Sequence, residues 1–245
     1  MIRSLTLHNF KCFADEQIRF APLTLLVGAN ASGKSSVIQA LLLLRQSHRR
    51  GAFHDGTRES FQRDTLRNGT LLLNGKLASV GTVLDAFYQE YEDPELRFYL
   101  ELDDQASALF SFQRGAGEMR VFDGQISYDS SINLFQDRFN YLNAERLGPK
   151  LLFPMQEDDR DPYDTGIHGE YAVHIVARDR QEMLANQDLA YYNEETGEVT
   201  TELYQQTRYW MRRIIPNFEM ELTPIVASDQ VQALFGNLPG QELVR

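Results

Sequence analysis

Residues 28–35 (GANASGKS) have the composition and spacing of a phosphate-binding loop, G-x-x-x-x-G-K-[ST]. Glycines let the backbone turn tightly, so that successive N–H groups converge on one anion. The lysine can reach the β- and γ-phosphates of a nucleotide, and the hydroxyl that follows it can ligate Mg²⁺. Ser35 is therefore the expected magnesium ligand. The residues expected to bind the nucleotide are Gly28, Ala29, Asn30, Ala31, Ser32, Gly33, Lys34, Ser35 and Ser36.

The flanking sequence supports this interpretation, because a phosphate-binding loop connects a strand to a helix. Residues 23–27 (LTLLV) form an apolar run typical of a strand buried on both faces, and residues 34–46 have the pattern of an apolar helix. Such a helix would turn the positive end of its dipole toward the phosphates. A glycine-rich turn with an incidental lysine is the alternative, and this context disfavours it.

Other elements follow from alternation, helical spacing and turn residues. Strands are predicted at 2–8, 16–20, 70–73, 77–80, 96–102, 108–113, 118–122, 125–128, 139–143, 218–225 and 229–235. Helices are predicted at 82–91, 169–178 and 201–215, and hairpin turns at Asn74-Gly75 and Asp123-Gly124. The fold class is therefore α/β, with an antiparallel meander in the middle of the chain. We expect a single unit over 1–245 with three parts, 1–50, 51–138 and 139–245.

The composition excludes several other classes of protein. The chain has 245 residues, of which 42% are hydrophobic and 24% charged, as in an ordinary globular protein. One cysteine, Cys12, excludes an internal disulfide framework and fits a reducing compartment. The longest apolar stretch, 37–44, is too short to span a membrane, and the five histidines lack zinc-ligand spacing. These features predict a cytoplasmic protein that does not bind membranes.

The net charge of −11 is unevenly distributed along the chain. Residues 1–50 carry seven basic and two acidic side chains, whereas 155–202 carry three basic and thirteen acidic ones. Because such a chain repels phosphate backbones, we expect nucleic acid to bind only through a local patch or a partner. A calcium loop starting at Asp159 would place Asp164 where glycine is needed, so residues 156–165 are interpreted as a solvated acidic loop.

The stretch IRSLTLHNFKCFADEQIRFAPLTLLVGANASGKSSVIQALLLL resembles the N-terminus of ABC-type ATPases of the SMC/RecF/OLD group, in which an L-x-N-F-[KR]-x-F strand pair precedes the P-loop. YLNAERLGP (141–149) and GIHGEYAVHIVA (166–177) resemble a prokaryotic AAA-family subset often linked to phage defence or DNA maintenance. The resemblance implies the N-terminal lobe of an α/β ATPase head, with ATP and Mg²⁺ as cofactors. It also implies a homodimer or higher oligomer in which two heads sandwich ATP.

Three further residues are assigned by the resemblance. Lys11 occupies the family's basic position, whose side chain approaches the nucleotide; a solvated strand residue is the alternative. Glu145 and Arg146 lie in the segment that connects the two lobes, where other members have a glutamine that is not found here. Glu145 is accordingly a candidate catalytic residue, and a buried Glu–Arg structural pair is an equally compatible interpretation.

No Walker B strand or signature loop is recognisable in the sequence. Residues 98–104 end in two aspartates, but Glu101 interrupts the apolar run, and residues 237–241 are not followed by a helix. We therefore expect the C-terminal lobe to be absent from these 245 residues, so that it either lies in another chain or segment or is lacking in a truncated relative. The alternative functions are a nucleotide-sensing scaffold that recruits an effector such as a nuclease, and a half-head that assembles onto an intact ATPase.

We predict that residues 1–245 alone bind ATP and hydrolyse it very slowly. The P-loop stabilises the bound nucleotide, but hydrolysis also needs groups that position water and stabilise the transition state. An opposing arginine-type donor alone changes the rate by roughly 10³–10⁵ in related enzymes. Phosphate release should equal that of a Lys34→Ala control. Turnover at about 1 s⁻¹ would instead reveal an unrecognised catalytic carboxylate, and Glu145 would be the first residue to replace.

Overall fold

A computed structural model describes most of the chain. The described residues are 1–53, 67–90, 93–103, 106–113, 121–128, 132–136, 139–148, 150–157, 161–184, 186–192, 197 and 199–236. They belong to two compact units, which comprise residues 1–139 and 140–245. No helix in these ranges is both long enough and apolar enough to cross a membrane.

The first unit is built on a six-stranded antiparallel sheet with the order β2-β1-β4-β5-β6-β3. Its strands are β1 (Ile2–Phe10), β2 (Phe13–Arg19), β3 (Arg67–Leu72), β4 (Glu95–Leu102), β5 (Ser107–Gln113) and β6 (Val121–Ser127). Its helices are α1 (Lys34–Arg49) and the single turn α2 (Val83–Ala86). The predicted α/β class is thus confirmed, with an antiparallel sheet as its main element.

The core of this unit lies on one face of the sheet, as the alternation of the strands predicts. In β4, Leu96, Phe98 and Leu100 are fully buried, whereas the intervening side chains are at least partly exposed. Helix α1 is fixed to the edge strand β3, because Gln46 Nε2 donates to the Leu72 carbonyl (2.7 Å) and the Leu72 N–H donates to Ser47 Oγ. These bonds hold the helix that follows the P-loop.

The second unit combines a small sheet with two helices. Its strands, β7 (Leu152–Pro154), β8 (Glu219–Ile225) and β9 (Gln230–Gly236), are antiparallel in the order β7-β9-β8. Helices α3 (Ala172–Arg178) and α4 (Leu203–Ile214) pack on this sheet around an apolar cluster that includes Phe218, Met220 and Val231. Arg208 and Arg212 of α4 both form ion pairs with Glu219, which fixes the helix to β8.

Several predicted elements are wrong. Residues 23–27 belong to no strand of the described sheets, and Leu23, Leu25 and Val27 are 90%, 82% and 77% exposed, because no described strand pairs with them. Gly124 lies inside β6 instead of in a turn, and the predicted strand residues 118–120 lie outside the described residues. Residues 139–143 form no strand, 77–80 contribute only an isolated bridge, and the helix predicted at 82–91 is a single turn.

Gly124 is required for the pairing of β5 with β6. A β-carbon at this position would lie 2.0 Å from the Ser111 carbonyl oxygen and 2.6 Å from Phe112 Cα, which are both backbone atoms. We expect Gly124→Ala to lower the free energy of unfolding by about 3 kcal/mol or more, measured by urea denaturation. Gly148→Ala is the matched control because nothing lies within 4 Å of its added carbon. Equal stability of the two variants would contradict the strand register.

Candidate nucleotide-binding site

The P-loop ends at the N-terminus of α1, where backbone donors are free. Gly33 is the N-cap residue, with φ of 90°, and no side chain caps the helix. The first intrahelical bond runs from the Val37 N–H to the Gly33 carbonyl at 3.1 Å. The preceding amides of the first turn, at residues 34–36, therefore have no acceptor within the helix. Uncapped amides at the positive end of a helix dipole form an anion-binding arrangement.

The side chain of Lys34 folds back over this loop. Its Nζ donates to the carbonyls of Gly28 (2.8 Å) and Ala29 (2.5 Å) and to Ser32 Oγ (3.3 Å). The ammonium is thus held at the loop by short contacts, beside the uncapped amides of α1. Two independent sources of positive potential, the lysine and the helix N-terminus, coincide there. This is the arrangement that recognises the phosphates of a nucleotide.

The loop side chains also fit a nucleotide with its metal. The Ser35 hydroxyl is exposed and makes no hydrogen bond with the described residues, so it is free to ligate Mg²⁺. Asn30 is exposed at the tip of the loop, and Ala31 adopts a positive φ of 63°. The nine predicted P-loop residues, 28–36, form the segment that leads into α1 and its first residues, and their contact with a nucleotide stays a prediction.

Lys11 contacts the helix that follows the P-loop. Its Nζ donates to Gln39 Oε1 at 2.7 Å, which places the ammonium beside the second turn of α1. The pKa of Asp85 is lowered chiefly by the backbone N–H and the hydroxyl of Thr82, with a smaller contribution from the charge of Lys11. Gln39 was not predicted as a contact from the sequence, although its position four residues after Ser35 puts both on one helix face. A nucleotide contact by Lys11 stays a prediction.

In the second unit, two motifs of the resemblance lie side by side. The Asn143 N–H donates to the Ile167 carbonyl (2.7 Å), and His168 Nδ1 lies 2.5 Å from the Glu145 carbonyl. Glu145 and Arg146 are both exposed and form no ion pair within the described part of the chain, so the interpretation as a buried Glu–Arg pair is wrong. The backbone of this loop makes the contacts and leaves both side chains in solvent. A catalytic role for Glu145 stays a prediction.

The acidic segment uses its carboxylates in local turns. Asp161 Oδ1 accepts the Tyr163 N–H (3.0 Å), and Asp164 Oδ1 accepts the Gly166 N–H (2.9 Å). Residues 158–160 of the predicted solvated acidic loop lie outside the described residues. Within the described part of the chain, no group of three or more His, Cys, Asp or Glu residues could hold a metal ion.

The strand pair β1–β2, the P-loop and the uncapped helix α1 together define the class of P-loop nucleotide-binding proteins. The chain belongs to the AAA ATPase domain family, whose sequence profile matches residues 1–209. It is also similar to the DNA replication and repair protein RecF of Synechococcus sp. (strain JA-2-3B'a(2-13)), with 44% identity over 55 residues. That segment covers 22% of this chain and 14% of RecF. The predicted resemblance to SMC/RecF-type ATPase heads is confirmed by the family profile and by this partial match.

Replacing Lys34 should weaken nucleotide binding without unfolding the chain, because the hydrogen bonds of its Nζ with the described residues all lie within the loop. We expect Lys34→Ala to lower ATP affinity about ten- to a hundredfold, the loss of one charge-assisted contact of roughly 1.5–3 kcal/mol. Titration with a fluorescent nucleotide measures this. An unchanged dissociation constant in a folded variant would contradict the role of Lys34 in phosphate binding.

Replacing Ser35 should act through the metal. The hydroxyl is exposed and unbonded among the described residues, so Ser35→Ala removes a metal ligand and no fold contact. We expect a large loss of ATP affinity with Mg²⁺ present and little loss in EDTA, measured by the same titration. Equal losses under both conditions would exclude Ser35 as the metal ligand.

Proposed function

We propose that this chain is the ATP·Mg²⁺-binding part of an ATPase head that hydrolyses ATP when two heads pair and a C-terminal lobe is supplied. The observation that carries the proposal is the convergence of Lys34 Nζ on the carbonyls of Gly28 and Ala29 at an uncapped helix N-terminus. Both features concentrate positive potential where the triphosphate would bind.

Each P-loop group has a distinct role in the proposed reaction. The amides of the first turn of α1 orient the phosphates, and Lys34 balances the charge that develops on the β- and γ-phosphates. Ser35 would hold the Mg²⁺, which when bound would supply positive charge to neutralise the phosphates. Exposure of the loop leaves room for a second head to supply the remaining donors. Positioning and charge neutralisation then account for most of the catalysis.

For the biological setting, we propose cytoplasmic DNA maintenance or phage defence. The name of the RecF relative refers to DNA replication and repair, and its similarity supports the first setting. Since the chain carries a net charge of −11, we propose that nucleic acid is contacted through a local patch or a partner. A homodimer or higher oligomer of heads is the proposed assembly.

The second candidate is a nucleotide-sensing scaffold that recruits an effector such as a nuclease. It is favoured by the surface of α4, where Trp210 is 53% and Ile214 is 74% exposed. Large apolar side chains on an exposed helix are typical of protein interfaces. A scaffold would bind ATP with little turnover even in the complete protein, whereas an ATPase head would release phosphate in multiple turnovers.

Calorimetric titration with ATP, ADP and AMP in the presence of Mg²⁺ tests the nucleotide-binding proposal. Because Lys34 is expected to reach the β- and γ-phosphates, affinity should fall from ATP to ADP and be lost for AMP. The Lys34→Ala variant should reduce the difference between ATP and AMP. Equal binding of all three nucleotides, or no binding by the folded wild-type chain, would contradict the proposal.

A further inference from the structure

The P-loop glycine Gly33 is packed tightly against the turn between β1 and β2. Gly33 is buried, and a β-carbon added to it would lie 2.5 Å from Phe13 Cζ and 2.8 Å from Cys12 Sγ. Real β-carbons do not approach other atoms so closely. The small size of Gly33 is therefore needed for this contact as well as for its φ of 90°.

The same turn reaches the first two turns of α1. Lys11 Nζ donates to Gln39 Oε1 at 2.7 Å, and Cys12 Sγ lies 4.0 Å from Ser36 Oγ. Three consecutive residues, 11–13, which we call the brace turn, thus contact the end of the P-loop and the start of its helix. The uncapped amides lie in the segment that these contacts border.

The brace turn is itself held firmly by the rest of the first unit. Asn9 is fully buried, and its Nδ2 donates to the carbonyls of Asp93 (2.6 Å) and Glu95 (2.9 Å). The Lys11 N–H donates to the Ala86 carbonyl at 2.8 Å. Asn9 and Lys11 both have positive φ angles, 57° and 54°, a conformation that such surrounding contacts stabilise.

The segment that enters the P-loop offers no comparable support. Leu23, Leu25 and Val27 are almost fully exposed, and none of them makes a hydrogen bond within the described residues. Among the described contacts, the loop is therefore supported at its C-terminal end, by α1 and the brace turn. Loss of the brace contacts should act directly on the geometry of the phosphate-binding amides.

We propose that Cys12 and Phe13 are positioning residues that fix Gly33 and the first turn of α1 for nucleotide binding. The inference rests on the proposed function, since it concerns the same site. Binding groups must be held within about 0.5 Å of their productive geometry by the packing of neighbouring side chains. Cys12 and Phe13 supply such packing at Gly33, so their alteration should change affinity more than stability.

The first test compares two phenylalanines of equal size at opposite ends of β2. Phe13→Ala removes the contact with Gly33, whereas Phe20→Ala removes a half-buried ring beyond the other end of the strand. We expect ATP affinity to fall about tenfold for Phe13→Ala, as if the displaced loop lost one charge-assisted contact with the nucleotide. For Phe20→Ala we expect affinity to fall less than twofold. Phe13→Leu, which retains apolar bulk, should restore most of the affinity. Thermal unfolding of each variant separates this effect from general destabilisation.

The second test uses the wild-type fold and its one cysteine, Cys12, which is exposed. The thiol adds across the double bond of N-ethylmaleimide, so a new S–C bond forms and the proton goes to the neighbouring carbon. The added group should displace the loop at Gly33 and lower ATP affinity at least tenfold. ATP should in turn slow the labelling. Cys12→Ser is the control, and treatment with the same reagent should leave its own ATP affinity unchanged.

The outcomes distinguish the inference from the proposed function. If the folded wild-type chain binds no ATP, the proposed function itself fails. If it binds ATP, and both the Phe13→Ala and the maleimide-labelled proteins bind equally tightly, the brace turn has no positioning role. If Phe13→Ala does not fold, labelling of the folded wild type decides alone. The inference is supported if Phe13→Ala loses ATP affinity at an unchanged unfolding temperature and Phe13→Leu restores that affinity.

Discussion

The first unit depends on keeping several unsatisfied donors and one lysine at the same point in space. The positive end of the helix dipole and the ammonium of Lys34 repel each other. They stay close together only because other contacts hold the backbone in place. Helix α1 is held at its far end by Gln46 and Ser47 on β3, and at its near end by the brace turn. Buried Arg45 adds hydrogen bonds to the carbonyls of Leu134 and Gln136. The helix is thus fixed along its length, while its first turn presents its amides.

The surroundings of the site follow from the same constraint. The P-loop is exposed over most of its length, and the segment before it displays aliphatic side chains to solvent. The loop is therefore accessible from solvent. This is consistent with the proposal that a second head or a further lobe supplies the remaining groups. The acidic charge is concentrated at 155–202, which is consistent with the proposal that nucleic acid is contacted only through a local patch or a partner.

How much could be predicted from the sequence differs from element to element. The G-x-x-x-x-G-K-[ST] spacing and the apolar helix predicted the phosphate-binding loop and α1, since both are encoded within a few residues. Strict alternation predicted β4 and β5 nearly to the residue. The buried strand predicted at 23–27 is wrong, because an apolar run indicates a tendency to be buried and does not show which strand would pair with it. The hairpin turn predicted at Asp123-Gly124 is wrong, because glycine occurs both in turns and in strands where backbones approach closely.

The contacts of Cys12 and Phe13 could not be predicted, since they depend on how β2 meets a loop twenty residues further along the chain. The exposure of Glu145 and Arg146 likewise follows from backbone pairing with residues 167 and 168, which local pattern does not encode. The central claim is that the uncapped start of α1 binds the phosphates, and backbone amide chemical shifts during an ATP·Mg²⁺ titration test it most directly. The largest changes should occur at residues 28–36, with smaller ones in the brace turn. Unchanged amides at 28–36, with saturable shifts elsewhere in the chain, would contradict it.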